Sequence, residues 1–248
     1  MRSIRAFKGK IMTIQSGRAA VLLAIGASLL AACSMGQLRG ESGSRTTSGS
    51  DKRSTTSAGF TPSSDARKDV REALQRLQTA YPYRLTETMS ATANGQTAMP
   101  ESTRVVEFAA ADRTHMKWTG GPGGTIEAIS IGDRHYWFAD GKWTAGTVPS
   151  SRGADRGADF ANKLAEMVKE VKYVGPETIN GVSCYVYTGT FETTLGGQSL
   201  AGTAKVWIGA DDGLIHQSDS DSRISTYANK SHIIYEYNVD VKIEKPSM

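Results

Sequence analysis

The chain has 248 residues, 39% hydrophobic and 22% charged, a globular composition that excludes collagen-like and fully disordered chains. Its formal charge of +4 originates in residues 1–32, where Arg2, Arg5, Lys8, Lys10 and Arg18 face no acid; removing these five from the 29 bases leaves 24 against 25 acids. The remainder is close to neutral, so it carries no global electrostatic footprint for nucleic acid or an anionic membrane, and no nucleic-acid partner is expected.

The basic stretch leads into Ala19–Ala32, 14 residues without a charge. A membrane-spanning helix needs about 20 apolar residues, so the run is too short to span and reads as a secretory signal. Leu30-Ala31-Ala32-Cys33 looks like a bacterial lipobox. Residues 1–32 are therefore expected to be a lipoprotein signal peptide, started at Met1 or Met12, with Cys33 acylated as the membrane anchor. Ser34, rather than Asp, follows the cysteine. By resemblance to the sorting rule of enteric-type bacteria, that points to the outer membrane, facing the periplasm. Cys184 is then the one thiol left, a small buried hydrophobe rather than a nucleophile.

Residues 33–64 read as the lipidated cysteine and a tether, since 19 of the 31 residues in 34–64 are Ser, Thr or Gly. Such a segment buries too little surface to offset its ordering entropy. The folded domain is expected over 65–248. Ser64 can cap a helix starting at Asp65, on which Ala66, Val70, Ala73, Leu74, Leu77 and Tyr81 recur at helical spacing until Pro82. A second helix is expected near 155–171, with Phe160, Leu164, Met167, Val168 and Val171 on one face. The rest reads as about nine to eleven strands separated by turn signals such as Asn94-Gly95, Gly120 to Gly124, Gly132-Asp133, Asp140-Gly141, Asn180-Gly181 and Asp212-Gly213. The closing strand alternates Ile233, Tyr235, Tyr237, Val239, Val241 and Ile243 with polar or intervening residues. One apolar face per strand implies an antiparallel sheet with one side wet.

Ten strands at about 4.8 Å make a sheet about 48 Å wide, of which two helices of about 10–12 Å cover less than half. The sheet is expected to curl around its helices, leaving a concave, aromatic-lined groove. Phe108, Met116, Trp118, Ile129, Ile131, Tyr136, Phe138, Tyr185 and Val206 are the residues expected to line it. The other reading is a filled core, with exposed aromatics such as Trp137 and Trp207 docking a protein partner.

Three stretches carry a resemblance: Ile131-Gly132-Asp133-Arg134-His135-Tyr136-Trp137-Phe138, Asp140-Gly141-Lys142-Trp143 and Tyr235-Glu236-Tyr237-Asn238-Val239-Asp240-Val241-Lys242-Ile243. With the order lipobox, tether, helix, hairpins, helix and strands, they resemble the LolA/LolB-like superfamily, including the LppX/LprG-like lipoproteins. The resemblance implies an α+β, mainly β fold: a curved antiparallel sheet, an unclosed half-barrel, with helices on its concave side. It implies binding of a lipid, acyl chain or lipidated partner, and no catalysis.

Motifs for other chemistries are incomplete. His115, His135, His216 and His232 lack metal-ligand spacing. Gly181-Val182-Ser183-Cys184-Tyr185 lacks the last glycine of a nucleophile elbow, and Gly120–Gly124 lacks a phosphate loop's Gly-Lys-Ser/Thr ending. Asp211, Asp212, Asp219 and Asp221 lack the order and closing glutamate of a Ca²⁺ loop. The expectation is a monomeric envelope lipoprotein of carrier or receptor type, without enzyme activity, cofactor or metal. The alternative is a structural or protein-interaction outer-membrane lipoprotein with a filled core and no ligand.

Overall fold

The computed structural model describes residues 59–121, 124–139, 141–147, 167–195 and 198–248. The signal peptide, Cys33 and most of the tether lie outside the described residues. Among the described residues, eleven strands form one sheet: β1 (Tyr83–Ala93), β2 (Gln96–Ala110), β3 (Arg113–Gly121), β4 (Gly124–Ile131), β5 (Arg134–Ala139), β6 (Lys142–Thr147), β7 (Val168–Ile179), β8 (Val182–Leu195), β9 (Gln198–Gly209), β10 (Ile215–Ile224) and β11 (Tyr227–Tyr237). Their order is β6-β5-β4-β3-β2-β1-β11-β10-β9-β8-β7, and the pairings are antiparallel throughout. Two meanders, β1–β6 and β7–β11, meet at β1·β11. The sheet does not close, which makes the domain an unclosed half-barrel, mainly β.

The turns follow from residue chemistry. Asn94-Gly95 and Asn180-Gly181 carry positive φ at both positions, 51° and 78° in the first and 49° and 81° in the second. They join Ala93 to Gln96 and Ile179 to Val182 as two-residue hairpins. Edge strand β7 is broken by bulges near Val168–Val171 and Tyr173–Gly175, and Pro176 has no N–H to offer. Both features blunt an edge that would otherwise template a further strand.

Helix α1 spans Ala66–Leu77, and Val70, Ala73, Leu74 and Leu77 are its buried stripe. Its cap is Asp65, whose carboxylate accepts the Lys68 N–H at 3.0 Å; the expected Ser64 cap is one residue early. Asp69, in the first turn, is buried and accepts from Tyr187 Oη at 2.9 Å and from the Ser63 N–H at 2.9 Å. These bonds tie α1 and the entering chain to β8. The entering chain is itself part of the domain, because Phe60 is buried, packs on Tyr185 and donates its N–H to Ala210 O at 2.6 Å. Ordered structure thus begins before residue 65.

Two sequence expectations change. Met167 is helical, but Val168 and Val171 belong to strand β7, so the helix expected over 155–171 does not reach its end; residues 155–166 lie outside the described residues. The closing strand stops at Tyr237 rather than continuing to Ile243. Asn238 adopts φ 56° and donates its N–H to Pro82 O at 3.2 Å, which turns the chain off the sheet. Val241 and Ile243 then pack as a strap against Ile129, Ile131, Tyr136 and Trp143.

Candidate functional site: the helix-side face of the sheet

Directly opposed residues of neighbouring strands point to one face of a sheet. Leu85 opposes Val106 and Tyr235, and Val106 opposes Met116. These residues, with Phe108, Tyr187, Val206 and Ile208, share the core with Val70, Leu74 and Leu77 of α1. This defines the helix-side face. Phe108 is 1% exposed and stacks on Tyr83 with centroids 4.4 Å apart. Helix α1 lies chiefly over β7, β9 and β10, so it shields one half of that face.

The other half, over β3–β5, continues the same phase. Met116 opposes Ala128, Ala128 opposes Trp137, and Trp118 opposes Ile126. Met116, Trp118, Ile126, Ala128 and Trp137 therefore form an apolar strip. Trp137 is 42% exposed. Both indoles lie against glycine: a Cβ on Gly121 would come within 2.7 Å of the Trp118 ring, and one on Gly146 within 2.9 Å of the Trp137 ring. Trp118 Nε1 donates to Ser102 Oγ at 3.1 Å, and Trp137 stacks on His135 at 5.8 Å. His135 Nδ1 and Ser130 Oγ share a hydrogen bond of 2.8 Å. Burial pushes the His135 pKa below its usual range against the pull of Asp133, which favours the uncharged ring beside the apolar strip.

The nine expected groove residues do not share one face. Phe108, Met116, Trp118, Tyr185 and Val206 are on the helix side. Ile129 opposes His115, which opposes Glu107, and Ile131, Tyr136 and Phe138 follow the phase of Ile129. These four face away from α1, and Ile129, Ile131 and Tyr136 pack in the cluster formed with the C-terminal strap. The expectation that Ile131 and Ile129 face the concave, helix-bearing side is corrected by this register. Trp207 is corrected as well: it is only 4% exposed, its Nε1 donates to Glu177 Oε2 at 2.7 Å, and Lys205 Nζ lies 4.4 Å over its ring.

One feature of this face was not read from the sequence. Glu87 is fully buried at mid-sheet, ion-paired with Arg104 and accepting from Ser231 Oγ at 2.6 Å. Burial raises the Glu87 pKa, and it outweighs the lowering by Arg104 and Ser231. The signal available in the sequence is Glu87 at an apolar phase of β1, between Leu85 and Met89.

Cys184 is buried with Val186 and Trp207 on the face away from α1. Burial is the main cause that pushes its thiol up to about 11, with Asp212 and Glu177 adding to it. Folded protein at pH 8 is expected to react with a thiol reagent much more slowly than unfolded protein, and Cys184→Ala to cost about 1 kcal/mol. Chromogenic thiol titration with and without denaturant checks the first; denaturant melts check the second.

No protein-family model matches the chain, and no curated protein matches its sequence. Solved structures similar to it include the lipoprotein LppX of Mycobacterium tuberculosis, 17% identical over 72% of this chain and 98% of that one, with a TM-score of 0.48. LprF from Mycobacterium bovis is 12% identical over 76% and 100% of the two chains, TM-score 0.48. A LolA superfamily protein from Nitrosomonas europaea is 10% identical over 73% and 96%, TM-score 0.32. The likeness is one of architecture.

Proposed function

We propose that this chain is a bacterial envelope lipoprotein, anchored through acylated Cys33, that holds a lipid, acyl chain or lipidated partner on the helix-side face of its half-barrel. The observation that carries the reading is the apolar strip Met116–Trp118–Ile126–Ala128–Trp137, which leaves α1 behind and ends on an exposed indole. Burying an acyl chain there gains about 0.8 kcal/mol per CH₂, enough for affinity without covalent chemistry. The action is that of a carrier or receptor, performed by a monomer at the outer membrane facing the periplasm. Titration of the full chain with a fluorescent acyl probe tests it. Saturable uptake, quenched Trp fluorescence and a co-purifying lipid by native mass spectrometry support it; no uptake and no lipid under mild purification sink it.

The filled-core reading has one observation in its favour, the burial of Tyr83, Leu85, Phe108 and Ile208 in the core they share with α1. It predicts a chain that binds a protein partner and no acyl probe. Anchoring is tested separately. Cys33→Ser is expected to abolish incorporation of a labelled fatty acid in cells; undiminished label would overturn the anchor.

A further inference from the structure

Val174 is 57% and Tyr173 42% exposed, two adjacent apolar side chains that the acyl-binding reading does not use. Both lie on edge strand β7, where Tyr173 opposes Tyr187 and Gly175 opposes Val186. Val174 has no cross-strand counterpart. It is the extra residue of a β-bulge, and Gly175 at φ 149° completes the kink. A bulge re-aims a side chain, and here the re-aimed residue is an exposed valine. The Tyr173 ring lies 5.5 Å from that of Tyr187 and 6.1 Å from that of Tyr185, and Tyr185 is 6.0 Å from Phe60. Tyr187 in turn donates to Asp69 in the first turn of α1. One corner of the domain thus gathers the bulge, the start of α1 and Phe60, where the chain coming from Cys33 enters.

The charge around this corner is basic. Helix α1 buries Val70, Ala73, Leu74 and Leu77, which leaves Arg67, Lys68 and Arg71 exposed on its first two turns; Lys169 and Lys172 are exposed on β7. The acids among them are Asp65, Glu72 and Glu170. Residues 34–59, which join Cys33 to the corner, add Arg39, Arg45, Lys52 and Arg53 against Glu41 and Asp51. A near-neutral domain therefore concentrates positive charge on the side that leads to its anchor. We propose that the outer face of α1 and the Tyr173-Val174 bulge form a membrane-docking surface that lays the domain on the bilayer holding Cys33. The inference rests on the anchor at Cys33 and is independent of acyl binding inside the half-barrel. An exposed tyrosine suits the headgroup boundary, the valine reaches toward the acyl region, and the basic side chains meet anionic phosphates. Two apolar side chains are too few for the core of a stable protein interface, which buries about 800 Å² on each partner. They suffice for a bilayer, because the anchor makes docking intramolecular and a weak surface interaction is enough.

The test reconstitutes the acylated chain in vesicles of phosphatidylethanolamine and phosphatidylglycerol. Cys33 is acylated through its sulfur and Cys184 is buried, so a thiol-reactive fluorophore reaches Val174→Cys alone. Asp133→Cys, in the β4–β5 turn, is the reference. The label at position 174 should shift to the blue and be quenched by brominated phosphatidylglycerol, and the label at position 133 should do neither. Arg71→Glu combined with Lys172→Glu should reduce the quenching at position 174 severalfold, more at low salt than at high. Both substitutions are on exposed side chains, so the fold is retained. Two labels equally open to water, on vesicles that retain the chain, overturn the docking surface while the anchor stands. Quenching at position 174 that neither salt nor the charge reversals alter overturns the part given to α1. A chain that does not float with the vesicles overturns both the anchor and the surface.

Discussion

Arg104→Leu is expected to lower stability by about 3–5 kcal/mol at pH 7.5, because it leaves the Glu87 carboxylate buried without its cation. Glu87 already titrates above the ordinary value of 4.5, burial being the largest cause and Arg104 the main counterweight. A carboxyl whose folded pKa is raised takes up protons more readily folded than unfolded. Stability is therefore fullest below the ordinary pKa and is lost as pH rises through the folded one. Without Arg104 the folded pKa climbs further and that window widens. The variant should melt roughly 10 °C below wild type at pH 7.5 and much nearer to it at pH 4.5, since a domain of this size loses about 2–4 °C per kcal/mol. Adding Glu87→Leu should recover most of the loss at neutral pH. Thermal melts at the two pH values check this; a deficit independent of pH would mean that lost packing, not an orphaned charge, is responsible.

Tyr136→Ala and Trp137→Ala are adjacent substitutions with opposite expected results. Tyr136 is buried against Ile129 and Ile243, so its truncation should cost about 3–5 kcal/mol while a folded population still takes up acyl probe. Trp137 is exposed on the other face, so Trp137→Ala should move the melting temperature little and weaken probe binding about tenfold or more, the scale of a lost aromatic anchor. Denaturant melts and probe titration on both variants check the pair. Loss of binding confined to Tyr136→Ala would reverse the assignment of faces.

That contrast marks the limit of what alternation conveyed. Where one face is wet, as on β11, period-2 patterning set Ile233 and Tyr235 on one apolar face. The glycine turns at Asn94-Gly95 and Asn180-Gly181 were legible because few residues accept positive φ. On β4 and β5 both faces are apolar. Ile126 and Ala128 point one way and Ile129 and Ile131 the other, with Trp137 between Tyr136 and Phe138. A strand covered on both sides has no period to read, and a one-residue slip exchanges every side chain. The cover responsible is the strap after Asn238, which the unbroken alternation of residues 233–243 disguised as more strand. Buried Ser218 and Ser222 were missed for the converse reason: the serines of β10 alternate with Asp219 and Asp221, so the strand looks polar on both faces. Phe60 was hidden by the Ser/Thr/Gly composition around it.

The meeting of two meanders at β1·β11 has a kinetic consequence. Every other strand pair joins sequence neighbours across a short connection, whereas β1 and β11 draw together Tyr83–Ala93 and Tyr227–Tyr237 from opposite ends of the domain. Local hairpins can form early, but this seam must await closure of the whole intervening chain, whose entropic cost grows with loop length. The seam also carries Glu87, which receives Ser231 from β11 on one side and Arg104 from β2 on the other. Zipping it desolvates a carboxylate at the same step that unites the halves. The late barrier to folding thus concentrates at one ladder, where a protonated Glu87 lets the halves join more readily than an ionised one.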